Sequence, residues 1–338
     1  MALSERQALL ERIEAERGSR LIAYVTSDRP PPFRANIASD VIRHFYEHLR
    51  RIGQVQQIDL FLFSLGGDTI VPWRLVNLIR EYCSEFSVLV PYKAHSAATL
   101  IALGADTIVM GPMAELSPID PSISGPFSPP DRRNPQGPGL EISVEDVTGF
   151  VNLARERVDI TDQDNLVRVM EKLSEHIHPL ALGAVYRSHA LIRLLAAKLL
   201  ALHMRSPADQ QRIPKIVDDL AEKLYYHSYL IGRSETEQMG LSVTRPSPGL
   251  ESLLWQMYLS YEAEMDLGQQ FEPLAYLREA DKAEIEKPIA LVDSRGLCSS
   301  VRKRVLMQRL PVQIGQPGPQ IAIHEEVIRW ETRESEER

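Results

Sequence analysis

The chain has 338 residues, 44% of them apolar and 25% charged, with a formal net charge of −8 and a pI near 5.7. A chain of this size and composition buries a core without needing metals or disulfides, as one large domain or two smaller ones. The acidic balance argues against nucleic acid or an anionic membrane surface as the main partner.

Two cysteines, Cys83 and Cys298, lack metal-ligand spacing and fit a reducing, cytoplasmic setting. Residues 1–19 read as a charged helical arm without the apolar segment of a signal peptide. Residues 20–26 read as a buried strand. A Pro-rich loop follows over 27–36, and then an amphipathic helix over 37–51 with Ile37, Val41, Ile42, Phe45 and Leu49 on one side. A second buried strand over 58–64 ends at Gly66 and Gly67, before a helix over 68–82 that has Pro72 in its first turn. Strands at 86–90 and 107–110 bracket a helix of small and apolar residues over 96–104. This alternation of strands and helices predicts an α/β fold with a mostly parallel sheet.

Residues 117–138 hold seven prolines and read as an irregular loop, either a static surface segment or a lid over a neighbouring site. Helices are expected at 143–157, 162–175, 180–204, 208–228, 234–239 and 250–264. Strands at 289–293, 301–308 and 320–330 form a C-terminal β-rich extension. The resulting division is an arm (1–19), an α/β domain (20–245) with a helical insertion (143–228), and the extension with a charged tail (246–338). No stretch reaches the roughly 18 consecutive apolar residues of a membrane span. The most apolar helix, within 191–204, is interrupted by Arg193 and Lys198 and is expected to be buried in the core or at a contact between subunits of a homo-oligomer.

Two turns carry candidate chemistry. Gly66-Gly67 ends a strand and opens a helix, where backbone N–H groups and the helix dipole suit a developing oxyanion; the bland alternative is a tight turn. Ser96 follows a strand and opens a helix, where the dipole favours an alkoxide and Ala97 N–H offers a second oxyanion donor; the alternative is a capping serine.

The run from 58 to 123 resembles the Clp-fold and signal-peptide-peptidase group of serine peptidases. It looks closest to the serine dehydrogenase proteinase branch, through Gly66-Gly67, Ser96, Leu103-Gly104-Ala105-Asp106 and Pro118-Ile119-Asp120-Pro121. A second similar block spans 220–243 and contains His227. The resemblance implies a ClpP/crotonase-like spiral of ββα units and hydrolysis of a peptide substrate through an acyl-enzyme on Ser96; no H-E-x-x-H or cysteine-histidine cluster suggests zinc, and no cofactor is expected. The resemblance does not supply a general base. Where Clp relatives carry histidine this chain reads Ser117-Pro118-Ile119-Asp120, and residues 111–171 contain no lysine. Lys198, His178 and Lys172 are the base candidates further along, with His176, His189 and the adjacent His95 behind them. Lys198 would serve if burial lowered its pKa. Two other functions share the fold: a catalytically silent scaffold, and a crotonase-type acyl-CoA enzyme with Glu115 or Asp120 as acid/base.

Overall fold

The computed structural model describes residues 3–119, 122–123, 125–131, 139–221, 229–310 and 320–334. It divides into two units, residues 1–116 with 232–338, and residues 117–231.

In the first unit, α1 (Leu3–Arg17) leads into β1 (Arg20–Thr26), followed by α2 (Val41–Ile52), β2 (Val55–Phe63), α3 (Val71–Arg80), β3 (Cys83–Val90), the short β4 (Lys93–Ala94), α4 (Ala97–Leu103), β5 (Thr107–Met110) and the short β6 (Glu115–Leu116). β1 shows why this is the centre of the fold. Six of its seven residues are buried, as expected of a strand covered on both faces. Its side chains alternate with period two. Leu21, Ala23 and Val25 pack in one cluster with Leu9, Leu10 and Ile13 of α1. Tyr24 lies edge-on against Phe45 of α2, 5.4 Å between ring centroids. The two faces of the sheet are thus covered by different helices.

The second unit contains the paired strands β7 (Ser122–Ile123) and β8 (Ile142–Ser143), α5 (Val144–Asn152) with a π-turn to Arg157, α6 (Gln163–His176), α7 (Pro179–Ala201) and α8 (Pro207–Ala221). Capping side chains mark these helix starts. Ser143 Oγ accepts from Asp146 N–H at 2.9 Å, and an Asp162 oxygen accepts from Asn165 N–H at 2.9 Å. α7 is 23 residues long, and by length and composition alone it could cross a membrane. Within the single chain one side of it is covered, and the other is the side that the expected contact between subunits would bury. Ile192, Leu195, Leu199 and Leu200 are buried, whereas Leu194 is 51% exposed. A helix apolar all round has here only one covered stripe.

β9 (Ile231–Gly232) returns the chain to the first unit, which continues with α9 (Arg233–Met239), β10 (Val243–Thr244), α10 (Pro248–Met265), α11 (Pro273–Leu277), β11 (Lys282–Ser294), β12 (Leu297–Arg309) and β13 (Ile321–Glu334). The main sheet has the order β10-β5-β3-β2-β1-β11-β12-β13. From β10 to β1 the neighbours are parallel, and from β1 to β13 they are antiparallel. The C-terminal β-rich region therefore extends the central sheet. α1 packs on α10 through the cluster that also takes in Leu254, Met257 and Tyr261.

One helix starts later than its sequence pattern suggests. The expected helix from 37 begins at Val41. Ile37 is held in extended pairing instead: its N–H donates to Gly66 C=O and its C=O accepts Asp68 N–H, both at 2.8 Å. A long-range bridge overrides the local helical pattern at these residues.

Candidate active site

The site grows from the ends of β2 and β3, parallel neighbours whose chain exits lie side by side at the carboxyl edge of the sheet. Past β2, Ser64 pairs with β4. Its N–H donates to Lys93 C=O and its C=O accepts His95 N–H, both at 3.0 Å. Ser64 Oγ accepts Gly66 N–H at 3.0 Å, a serine turn, and also accepts the Thr26 hydroxyl at 2.7 Å. Ser64 and Thr26 are both fully buried.

The two glycines that follow are required by geometry. Gly66 has φ 102° and Gly67 has φ 153°. A Cβ on Gly66 would stand 2.8 Å from Ser96 Cβ and 2.8 Å from His95 O, and one on Gly67 would overlap the backbone of Ile37. Gly66 is thus in direct contact with Ser96. The expectation that both glycine N–H groups serve an oxyanion is narrowed, because Gly66 N–H is engaged by Ser64 Oγ. Gly67 N–H differs. Ile37 binds the flanking Gly66 C=O and Asp68 N–H, so by strand alternation Gly67 N–H points to the opposite edge.

Ser96 stands at φ 51°, ψ −112°, one of four non-glycine residues with positive φ among those described. These angles are those of the first corner of a type II′ turn, which favours glycine, and Ala98 N–H closes the turn on His95 C=O at 2.9 Å. A serine there costs on the order of 1–3 kcal/mol of backbone strain. Its side chain does not cap α4. Ala97, the first residue of that helix, is buried, and its N–H belongs to the turn whose donors have no acceptor within the helix.

Titratable groups gather on β4 and β6. His95 Nε2 lies 3.1 Å from Glu115 Oε1. Burial pushes the Glu115 carboxyl above its usual range, against the opposing pull of Lys93. Burial alone would lower Lys93, but its bond to Asp28 at 3.0 Å carries it above its ordinary value. Among the described residues no group of three or more His, Cys, Asp or Glu could hold a metal ion.

The three base candidates from the sequence all lie in the second unit, where two of them have bonding partners of their own. Lys172 is exposed and donates to both Glu175 oxygens at 2.9 Å. His178 caps α7, its Nδ1 accepting Leu180 N–H at 3.1 Å, and stacks on Phe127. Lys198 is exposed on α7, so the burial that would have made it a base is not present. Asp120, His227 and much of the Pro-rich segment (120–121, 124 and 132–138) lie outside the described residues. Sequence reasoning missed Thr26, Ser64, Ile37 and the His95–Glu115 pair. The sequence points to His95 and Glu115 singly and not as a pair, and Ser64 leaves a trace as a polar residue ending an apolar strand just before the glycines.

Comparison with known proteins gives the following. Residues 1–129 match the family described as ClpP-like SDH-type serine proteinases. The uncharacterized protein MJ1495 of Methanocaldococcus jannaschii is 27% identical over 126 residues, 36% of this chain and 43% of that protein. The uncharacterized protein MJ0137 of the same organism is 35% identical over 75 residues, 22% of this chain and 26% of that one. The match thus spans less than half the length of either relative. Among solved structures, a mutant of the 1510-N membrane-bound stomatin-specific protease is similar at 15% identity and TM-score 0.39, over 70% of this chain and 85% of that one. ClpP1 from Listeria monocytogenes is similar at 12% identity and TM-score 0.34, over 71% and 97%.

Proposed function

We propose that the chain is a serine peptidase in which the Ser96 hydroxyl attacks a peptide carbonyl and forms an acyl-enzyme that water then hydrolyses. The observation that carries this reading is the direct contact of Gly66 with Ser96, at a strained turn that opens α4. The family matched by residues 1–129, a serine proteinase family, supports it. Gly67 N–H, turned away from Ile37, and Ala97 N–H, at the start of α4, are the oxyanion donors in this proposal. A base that receives the Ser96 proton completes it; the local partners of Lys172 and His178 and the exposure of Lys198 argue against those three. Cytoplasmic residence and self-association belong to the same proposal. The unpaired thiols of Cys83 and Cys298 support the first, and exposed apolar side chains such as Tyr186 and Leu194 support the second.

The test is active-site labelling of the full chain with a fluorophosphonate probe, followed by mapping of the modified residue. Labelling at Ser96, lost in Ser96→Ala with the fold intact by circular dichroism, is the expected result. An unlabelled wild type would favour the catalytically silent scaffold.

A further inference from the structure

We infer that Ser64 is the positioning residue of the oxyanion turn: its side chain, backed by Thr26, fixes Gly66 and thereby aims Gly67 N–H at the reacting centre. This rests on the peptidase reading above and adds to it a residue that makes no contact with substrate.

Ser64 joins three pieces of the site at once. Its backbone brackets Ala94 by bonding Lys93 and His95, which fixes the segment leading into Ser96. Its Oγ accepts Gly66 N–H at 3.0 Å, which fixes the first glycine of the turn. The same Oγ accepts the Thr26 hydroxyl at 2.7 Å, which ties both to the end of β1. The tether is fully buried at Ser64 and Thr26, so neither hydroxyl exchanges its partner for bulk water.

The arrangement bears on catalysis because an oxyanion donor works only when its direction is set before the reaction. Gly66 and Gly67 have no side chains to hold them at φ 102° and 153°, so the peptides on either side of Gly66 keep their orientation through the groups they bond. On one side the restraint is Ile37, which binds Gly66 C=O and Asp68 N–H. On the other it is Ser64 Oγ, which binds Gly66 N–H. Ile37 holds the Gly66–Gly67 peptide through Gly66 C=O and Ser64 Oγ holds the preceding Leu65–Gly66 peptide through Gly66 N–H, so both peptides that meet at Gly66 are oriented. Without Ser64 Oγ, Gly66 N–H is a buried donor without a partner, and reorienting the turn is the way to satisfy it. Ser64 also keeps Gly66 N–H from acting as an oxyanion donor itself, which leaves that task to Gly67.

The test uses a fluorophosphonate probe on the full chain, with binding (KI) and phosphonylation (kinact) separated by probe concentration. Ser64→Ala should lower kinact about tenfold to a hundredfold, below the cost of removing a donor outright, and leave KI within about twofold. Thr26→Val, nearly the same shape without the hydroxyl, should lower kinact by a smaller factor, and Thr26→Ser should restore it. Thermal unfolding of each variant checks that the folded fraction is unchanged, and Thr26→Val carries the test if Ser64→Ala does not fold. Wild-type kinact in Ser64→Ala and Thr26→Val, beside a wild type that labels at Ser96, overturns the role of Ser64 and leaves the peptidase reading standing. A rise in KI alone overturns it as well. A wild type that does not label at Ser96 overturns the peptidase reading and this role together.

Discussion

Two buried polar clusters in the first unit are built on opposite lines. One joins Thr26, Ser64 and Gly66 beside Ser96, uses only hydroxyl and backbone groups, and adjoins a residue at φ 51°. The other ties helices to β11. Arg6 of α1 bonds Asp293 at 2.7 Å and also pairs with Glu264, the Tyr261 hydroxyl donates to Asp293 at 2.9 Å, and His48 of α2 bridges Ser294 and Ser299 at 2.7 and 3.1 Å. No residue of this second cluster has a positive φ. The charged cluster joins α1, α2, α10, β11 and β12 in relaxed geometry. The uncharged one holds a strained backbone in place. In the proposed reading the site is marked by a strained backbone locked by neutral hydrogen bonds and not by buried charge.

Substitutions should separate the two. Gly66→Ala has the largest expected effect. The added methyl meets Ser96 Cβ and His95 O at 2.8 Å, and alanine does not adopt φ 102° without strain. Labelling of Ser96 should fall about 10³-fold or more, because both the nucleophile and the donor turn are displaced. A wild-type rate in that variant would break the link between the glycine turn and chemistry. Arg6→Ala should act in the other direction. Removing one partner of a buried pair leaves Asp293, fully buried, with an uncompensated charge, and costs about 3 kcal/mol in chemical denaturation. The labelling rate of the folded fraction should not change. A selective loss of labelling would mean that the charged cluster also supports the site.

The same contrast explains how much was legible in the sequence. The parallel half of the sheet was readable from β1, β2, β3 and β5, whose apolar runs are bounded by turns. The glycine pair and Ser96 were readable because each sits between a strand and a helix. The pairing of β11 with β1 was not. It joins residues more than 250 positions apart, such as Ile22 and Ser294, and apolar alternation in a C-terminal strand does not name its neighbour. Ile37 was misread for a related reason, since its apolar side chain fits the helical stripe while its backbone is taken by Gly66 and Asp68. The base was sought among lysines and histidines by local burial. Lys198 sits among leucines in sequence, yet it lies on the open side of α7. Periodicity tells which residues share a helix face and not whether anything covers it.

A smaller effect concerns pH. His48 is fully buried between two hydroxyls, and burial, partly opposed by Asp293 and Glu47 and reinforced by His44 and Arg51, pushes its imidazole down to about 4. The unfolded chain has the ordinary 6.5 and so binds more protons than the native state between those two values. Stability from this group is complete above about 6.5 and is lost as the pH falls toward 4, to a total of roughly 3 kcal/mol at most. His48→Gln should flatten that slope relative to wild type in urea denaturation across the same range. Parallel slopes in the two proteins would show that His48 is not held neutral.

The smallest expected effect reads the strain at Ser96 itself. Ser96→Ala removes the hydroxyl and keeps a Cβ at φ 51°, whereas Ser96→Gly removes both. Both variants lose the hydroxyl, so the difference between them reads the backbone strain together with the contacts of one methyl group. Glycine relieves on the order of 1–3 kcal/mol of strain and costs about 0.5–1 kcal/mol of unfolded-state entropy. Ser96→Gly should therefore be more stable than Ser96→Ala by about 1 kcal/mol in denaturant titration, and neither should label with the fluorophosphonate probe. Equal stabilities, or a more stable alanine variant, would show that the turn at Ser96 is unstrained and would remove the feature that separates this cluster from the one around Asp293. A more stable glycine variant means that the native serine holds its position at a cost to the fold, which is the pattern of a residue kept for what its hydroxyl does.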